Sequence, residues 1–114
     1  MSERGDLAFI NHILDSINAV IEFSAGIKED ELISNRLRRS AIIREIEVIG
    51  EAAKNLSLDL KNIYNNISWK EIIGSRDRII HQYFGVDLDI IWDIIKNDLP
   101  ILKEQIEKIL KDLK

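Results

Sequence analysis

Ser68-Trp69-Lys70-Glu71-Ile72-Ile73-Gly74-Ser75-Arg76-Asp77-Arg78-Ile79-Ile80-His81-Gln82-Tyr83-Phe84-Gly85 reads as a helix with its own start and stop signals. Ser68 followed three residues later by Glu71 has the spacing of a capping box, in which the serine bonds the first turn and the glutamate reaches back. Gly85 is a natural stop. Between them Trp69, Ile72, Ile73, Ile80 and Tyr83 fall on one face at helical spacing. Arg76 falls within that apolar stripe, where a guanidinium is costly unless it is paired or faces a groove or interface. The plainer alternative is an arginine whose stem packs while its head reaches water.

Working outward, the same period dominates the chain. Leu7, Ile10, Ile13, Leu14, Ile17, Val20 and Ile21 form one stripe, predicting a helix over 6–25 that Gly26 ends. Leu32, Ile42, Ile43, Ile46, Ile49, Ala53 and Leu56 predict a helical region over 29–56, with a break near Ser34-Asn35, two poor helix formers. A short helix or turn is expected over 58–64. A last helix should begin near Asp87 or Asp89 and run toward Leu113, kinked at Pro100, which lacks a donor and crowds the preceding turn. No segment shows sustained two-residue alternation. The expected fold is all-α, an antiparallel four- to five-helix bundle, with residues 1–114 forming a single domain.

Composition narrows the classes of function. Apolar residues make up 46% and charged residues 32%, a globular balance. There is no cysteine, hence no disulfide or thiolate chemistry. The opening Met1-Ser2-Glu3-Arg4-Gly5-Asp6 has no apolar core and does not read as a secretory signal, and no apolar run approaches a bilayer span. A cytoplasmic location without membrane contact is the expectation. There is no Gly-rich phosphate loop and no histidine cluster for a metal, so no cofactor or metal is expected. Net charge is −4, whereas proteins that hold nucleic acid through phosphates are usually basic. Any RNA contact must rest on a local site.

Two constellations carry chemistry. Asp77 and His81 lie four apart, so a carboxylate can orient an imidazole and raise its pKa, which suits general acid–base work. The bland alternative is a solvated polar face. At about 100° per residue His81 lies about 140° from Arg76, while Tyr83 shares its face. One regular helix therefore cannot bring all three to one phosphate. Either the helix distorts near Tyr83-Phe84-Gly85 or two copies of the segment meet across a symmetric dimer. Upstream, Arg44, Glu47 and Glu51 share a face, and Gly50 marks close helix approach. Glu47 or Glu51 is expected to pair with Arg76, the alternative being a surface ion-pair ladder. Arg36, Arg38, Arg39 and Arg44 form the dense basic cluster, which suits a nucleic-acid backbone, an acidic partner or a solvated face.

Together, Arg76-Asp77-Arg78-Ile79-Ile80-His81-Gln82-Tyr83 with Phe84-Gly85-Val86-Asp87, the upstream Ile49-Gly50-Glu51-Ala52-Ala53, and the late Ile91-Trp92 and Leu99-Pro100 resemble the HepT-like toxins of the HEPN superfamily, in order along nearly the whole chain. The resemblance implies an all-α homodimer whose signature segments face each other, acting as a metal-independent ribonuclease toxin on RNA. It implies a nucleotidyltransferase antitoxin of the MNT type, which silences the toxin by adding AMP to the signature tyrosine. It puts the catalytic roles on Arg76 and His81 and the modification on Tyr83; helix spacing, not the resemblance, adds Asp77 in support of His81 and Glu47 or Glu51 in support of Arg76. In that scheme His81 is the general base, Arg76 stabilises phosphoryl charge and Tyr83 helps position the phosphate. Gln82 stands where the family often has glycine. Asp77 stands where asparagine is common, adding negative charge beside the phosphate site. HEPN bundles also occur as non-catalytic modules that bind a nucleotidyltransferase or a nucleotide. Under that alternative Arg76 anchors a phosphate and His81 is idle.

Overall fold

A computed structural model describes residues 3–79 and 87–113. Among these the chain is all-α, with no strand. α1 spans Glu3–Ser24, α2 Glu29–Ser34, α3 Arg36–Lys54, α4 Leu58–Ile63, α5 Trp69–Ile73 and α6 Ser75–Ile79. α7 spans Leu88–Asp93, a π turn Ile94–Asp98, and α8 Leu99–Leu113. No helix here is long and apolar enough to cross a membrane.

Three long helices, α1, α3 and α8, frame the core. Ile10, Ile13, Ile17 and Val20 of α1 meet Ile42, Ile46, Ile49 and Ala53 of α3, and Leu102, Ile106 and Ile109 of α8 close the third side; all are buried. Each large aliphatic side chain so buried contributes about 1.5–3 kcal/mol, so the frame is held by its isoleucine stripes. Ile21, expected on the stripe of α1, is 42% exposed because the stripe narrows toward the helix end.

Chain direction follows from a long-range tie. Asp6, near the start of α1, is 5% exposed. It accepts the Ser57 backbone N–H at 2.8 Å and the Ser57 hydroxyl at 2.6 Å, just beyond the end of α3. α1 and α3 therefore run antiparallel. The same Ser57 oxygen accepts the Leu60 N–H at 3.2 Å and caps α4.

Three of the five expected helical runs are interrupted. α1 ends as expected, with Gly26 at φ +74°, a left-handed conformation that glycine adopts without penalty. The break between α2 and α3 falls at Asn35, whose side chain accepts the Arg38 N–H at 3.0 Å and starts the new helix. The run expected over 68–84 is not continuous: it breaks at Gly74. There the Ser75 hydroxyl bonds back to the Ile72 carbonyl, and the Gly74 N–H closes on Lys70 O at 3.0 Å. A serine that competes for a helix carbonyl beside a glycine tips the local balance away from a continuous helix. The start of that run is correct but its cause is not a capping box. Ser68 makes no side-chain cap bond; instead the Trp69 indole donates to Tyr64 O at 3.1 Å. In the last run Asp87 caps α7 through the Ile90 N–H at 3.1 Å. The distortion expected at Pro100 appears upstream as the π turn, with the Leu99 N–H reaching five residues back to Ile94 O. Widening the turn before a proline relieves the crowding of its ring against the preceding carbonyls.

Candidate functional site

α3 presents Arg44, Glu47 and Glu51 on one side, while Ile42, Ile46 and Ile49 enter the core. Gly50 sits between the two and is buried. A Cβ there would lie 3.2 Å from Ile72 O and 3.4 Å from Ile73 O. The backbone of α3 thus approaches the last carbonyls of α5 more closely than a side chain permits comfortably. This close approach places the α5–α6 junction beside Glu47, one turn earlier on α3.

The chain then turns at Gly74 and carries Arg76 to that face. Arg76 Nε donates to Glu47 Oε2 at 2.6 Å. The Arg76 side chain is 58% exposed and the Glu47 side chain 25%. Arg76 was expected within the apolar stripe of one long helix. Its side chain instead lies on a groove that Ile73 also lines, paired with Glu47 and open to solvent. Of the two carboxylates expected to compete for it, Glu47 makes the contact, and Glu51 lies on the same groove without bonding it.

The groove has a volume of about 290 Å³, with Ile46 and Ile73 on its floor. Its walls carry Glu47, Glu51, Lys54, Arg76 and Asp77. Among the described residues three carboxylates and two cations line it. His81 and Tyr83 lie outside the described residues, and so does the expected contact between Asp77 and His81. Among the described residues no group of three His, Asp or Glu side chains is placed to hold a metal ion.

On the other side of α6, Arg78 Nη1 lies 3.7 Å from Asp98 Oδ2 of the π turn. The pair borders a second cleft of about 180 Å³ that also holds Glu71 and Ser75. Partial burial foremost, with Asp93 and Glu71 adding repulsion, lifts the Asp98 carboxyl above the ordinary carboxylate range against the opposing pull of Arg78. Sequence reasoning singled out neither Asp98 nor Lys54; a pair of residues on separate elements leaves no periodic signal.

The basic cluster of α3 divides on inspection. Arg39 Nη1 donates to Leu32 O at 3.2 Å and Ile33 O at 2.6 Å, closing the open carbonyls of α2. Arg36 and Arg44 are exposed. His12 is exposed on α1, with its ring centroid 6.5 Å from that of Phe9.

The family profile described as "Ribonuclease HepT-like" matches residues 13–109. A Methanocaldococcus jannaschii protein named as a gamma-glutamylcyclotransferase, and provisionally also as an RNase, is 45% identical over 92% of this chain. The chain spans 47% of that longer relative. A second protein of the same organism, provisionally named an RNase, is 43% identical over 94% of this chain and 98% of its own length. A Thermococcus cleftensis protein named "Probable ribonuclease HepT" is 36% identical over 96% of this chain and 99% of its own. No solved structure matches.

Proposed function

The chain belongs to the HepT-like family of ribonucleases, and from that membership we propose that it is the toxin of a toxin–antitoxin pair, a metal-independent endoribonuclease that acts as a homodimer. The observation that carries this reading is Arg76 itself. It heads an intact Arg-x4-His-x-Tyr segment and stands at the edge of a groove with its guanidinium open to solvent.

In the proposed reaction His81 takes the proton of a ribose 2′-hydroxyl. The oxyanion attacks the adjacent phosphorus, the bond to the 5′-oxygen breaks, and a 2′,3′-cyclic phosphate forms. The departing 5′-oxygen takes up a proton and leaves as an alcohol. Arg76 stabilises the charge that builds on the phosphoryl oxygens through its planar donor fork. Asp77 orients His81, and Tyr83 helps position the phosphate. A nucleotidyltransferase partner silences the chain by adding AMP to Tyr83, which blocks the site by bulk and by negative charge. Two segments facing each other across a dimer axis supply Arg76 and His81 to one cleft, which the faces of a single regular helix do not.

A second reading is favoured by one observation: among the described residues three carboxylates outnumber two cations around the groove, on a chain of net charge −4. On that reading the chain is a non-catalytic module that docks the nucleotidyltransferase or holds a nucleotide. Expression of the wild type and of the double variant Arg76→Ala/His81→Ala, each without antitoxin, separates the two. Growth arrest with loss of intact RNA in the wild type alone is the expected result. Equal, harmless expression of both, with Tyr83 unmodified by intact mass, overturns the ribonuclease reading in favour of the module.

A further inference from the structure

We infer that Glu47 is a positioning residue for Arg76: it grips the guanidinium through Nε and leaves the two terminal nitrogens for the substrate phosphate. This rests on the ribonuclease reading above and concerns the same site.

An arginine carries five N–H donors, one on Nε and four on the terminal nitrogens. A carboxylate bound through two parallel bonds to the terminal nitrogens would occupy the end that an incoming phosphate can use. Glu47 does otherwise. Its single bond to Arg76 is to Nε, at 2.6 Å, through Oε2. The bond anchors the inner edge of the guanidinium plane and leaves the phosphate-binding end unblocked.

The two partners differ in how firmly they are held. Glu47 lies on α3, a helix of 19 residues built into the core through Ile42, Ile46 and Ile49. Its side chain is the less exposed of the two. Arg76 lies on α6, just past the break at Gly74, with its side chain mostly in solvent. Untethered, a long flexible side chain in water visits many rotamers, and few of them face a phosphate. Gly50, three residues after Glu47 and so on a neighbouring face of α3, allows the approach to Ile72 and Ile73 that brings the two side chains into reach. The tether adds one negative charge near the phosphate, so it works against substrate affinity while it favours geometry. A positioning role therefore shows in kcat, and removal of the charge alone shows in KM.

The test measures cleavage of bulk transfer RNA by the purified full-length wild type, Glu47→Ala, Glu47→Gln and Arg76→Ala, with helicity checked by circular dichroism. Glu47→Ala is expected to lower kcat by about 10- to 100-fold, the range that misplacement of a catalytic group causes, with KM unchanged or reduced. Glu47→Gln keeps an oxygen acceptor for Nε–H and is expected to recover most of kcat with a reduced KM. A raised kcat/KM in Glu47→Ala would show competition with substrate and overturn the inference. So would wild-type kinetics in Glu47→Ala beside an inactive Arg76→Ala, while leaving the ribonuclease reading intact. If Glu47→Ala loses helicity, Glu47→Gln decides: a folded Glu47→Gln that falls as far in kcat as Arg76→Ala refutes a tether through an acceptor oxygen. Equal RNA cleavage by wild type and Arg76→Ala removes the ribonuclease reading, and this inference with it.

Discussion

Replacing Gly50 with alanine sets two effects of known size against each other. Alanine is about 1 kcal/mol better than glycine inside a helix, so in an open α3 the change would stabilise. In the packed structure its methyl group would sit 3.2 Å from Ile72 O and 3.4 Å from Ile73 O. Both are backbone atoms, and Ile72 O is held by the Ser75 hydroxyl. Relief therefore requires α3 and the α5–α6 junction to part by a few tenths of an ångström. Overpacking of this kind costs about 1–3 kcal/mol. Subtracting the propensity gain leaves a net loss of about 1 kcal/mol, or about 4 °C in Tm for a chain of this size. Activity should fall by more than stability does, because the same displacement draws Glu47 away from Arg76. Urea unfolding followed by circular dichroism measures the first effect and RNA cleavage under folded conditions the second. A variant that gains about 1 kcal/mol and cleaves as the wild type does would show that the helices separate freely, and the reasoning from close approach would fail.

Two further changes probe the frame. Asp6→Ala removes a buried carboxylate that receives two bonds from Ser57; a loss of about 2–3 kcal/mol is expected in urea titration, with Asp6→Asn losing less, and a loss within the scatter of surface substitutions would show the tie to be idle. Asp98→Asn acts through pH. The carboxyl is held above its ordinary value of 3.8 in the folded chain, so that chain keeps its proton to higher pH than the unfolded one. Wild-type stability should therefore fall as pH rises from about 4 through the raised folded value. The asparagine variant lacks that slope and gains on the wild type toward neutral pH, since the half-exposed pair with Arg78 returns little. Parallel slopes for the two proteins from pH 4 to about pH 7 would contradict this.

How much of this was legible beforehand depends on whether a feature is local. The isoleucine stripes of α1 and α3, the stop at Gly26 and the break at Asn35 follow from spacing and from residues that bond their own backbone. Gly50 was legible as a mark of close approach because nothing else justifies a glycine in that run. The partner of Arg76 was legible only down to two carboxylates on one helix face; choosing Glu47 over Glu51 needs the register between α3 and α6. The tie between Asp6 and Ser57 was not legible, since 51 residues separate them and no period links them. The break at Gly74 was not legible. A lone glycine in an amphipathic run is usually tolerated, and the deciding event is the capture of Ile72 O by the Ser75 hydroxyl.

The two arginines of α6 serve different flanks of the helix. Arg76 is exposed and Arg78 half-buried. Two residues at about 100° each place Arg76 and Arg78 about 200° apart, on opposite flanks. Each then meets an acid on a different element: Glu47 of α3 at 2.6 Å and Asp98 of the π turn at 3.7 Å. The two contacts are unequal. The first is short and its carboxylate is partly sheltered. The second is long, and the burial of Asp98 offsets part of the attraction. α6 is therefore anchored mainly toward α3. A change that weakens the Asp98 contact should leave Arg76 in place, and a change in the spacing of α3 should not. Asp98→Asn and Gly50→Ala, assayed together for RNA cleavage, put that asymmetry to a direct comparison: near wild-type turnover in the first and reduced turnover in the second.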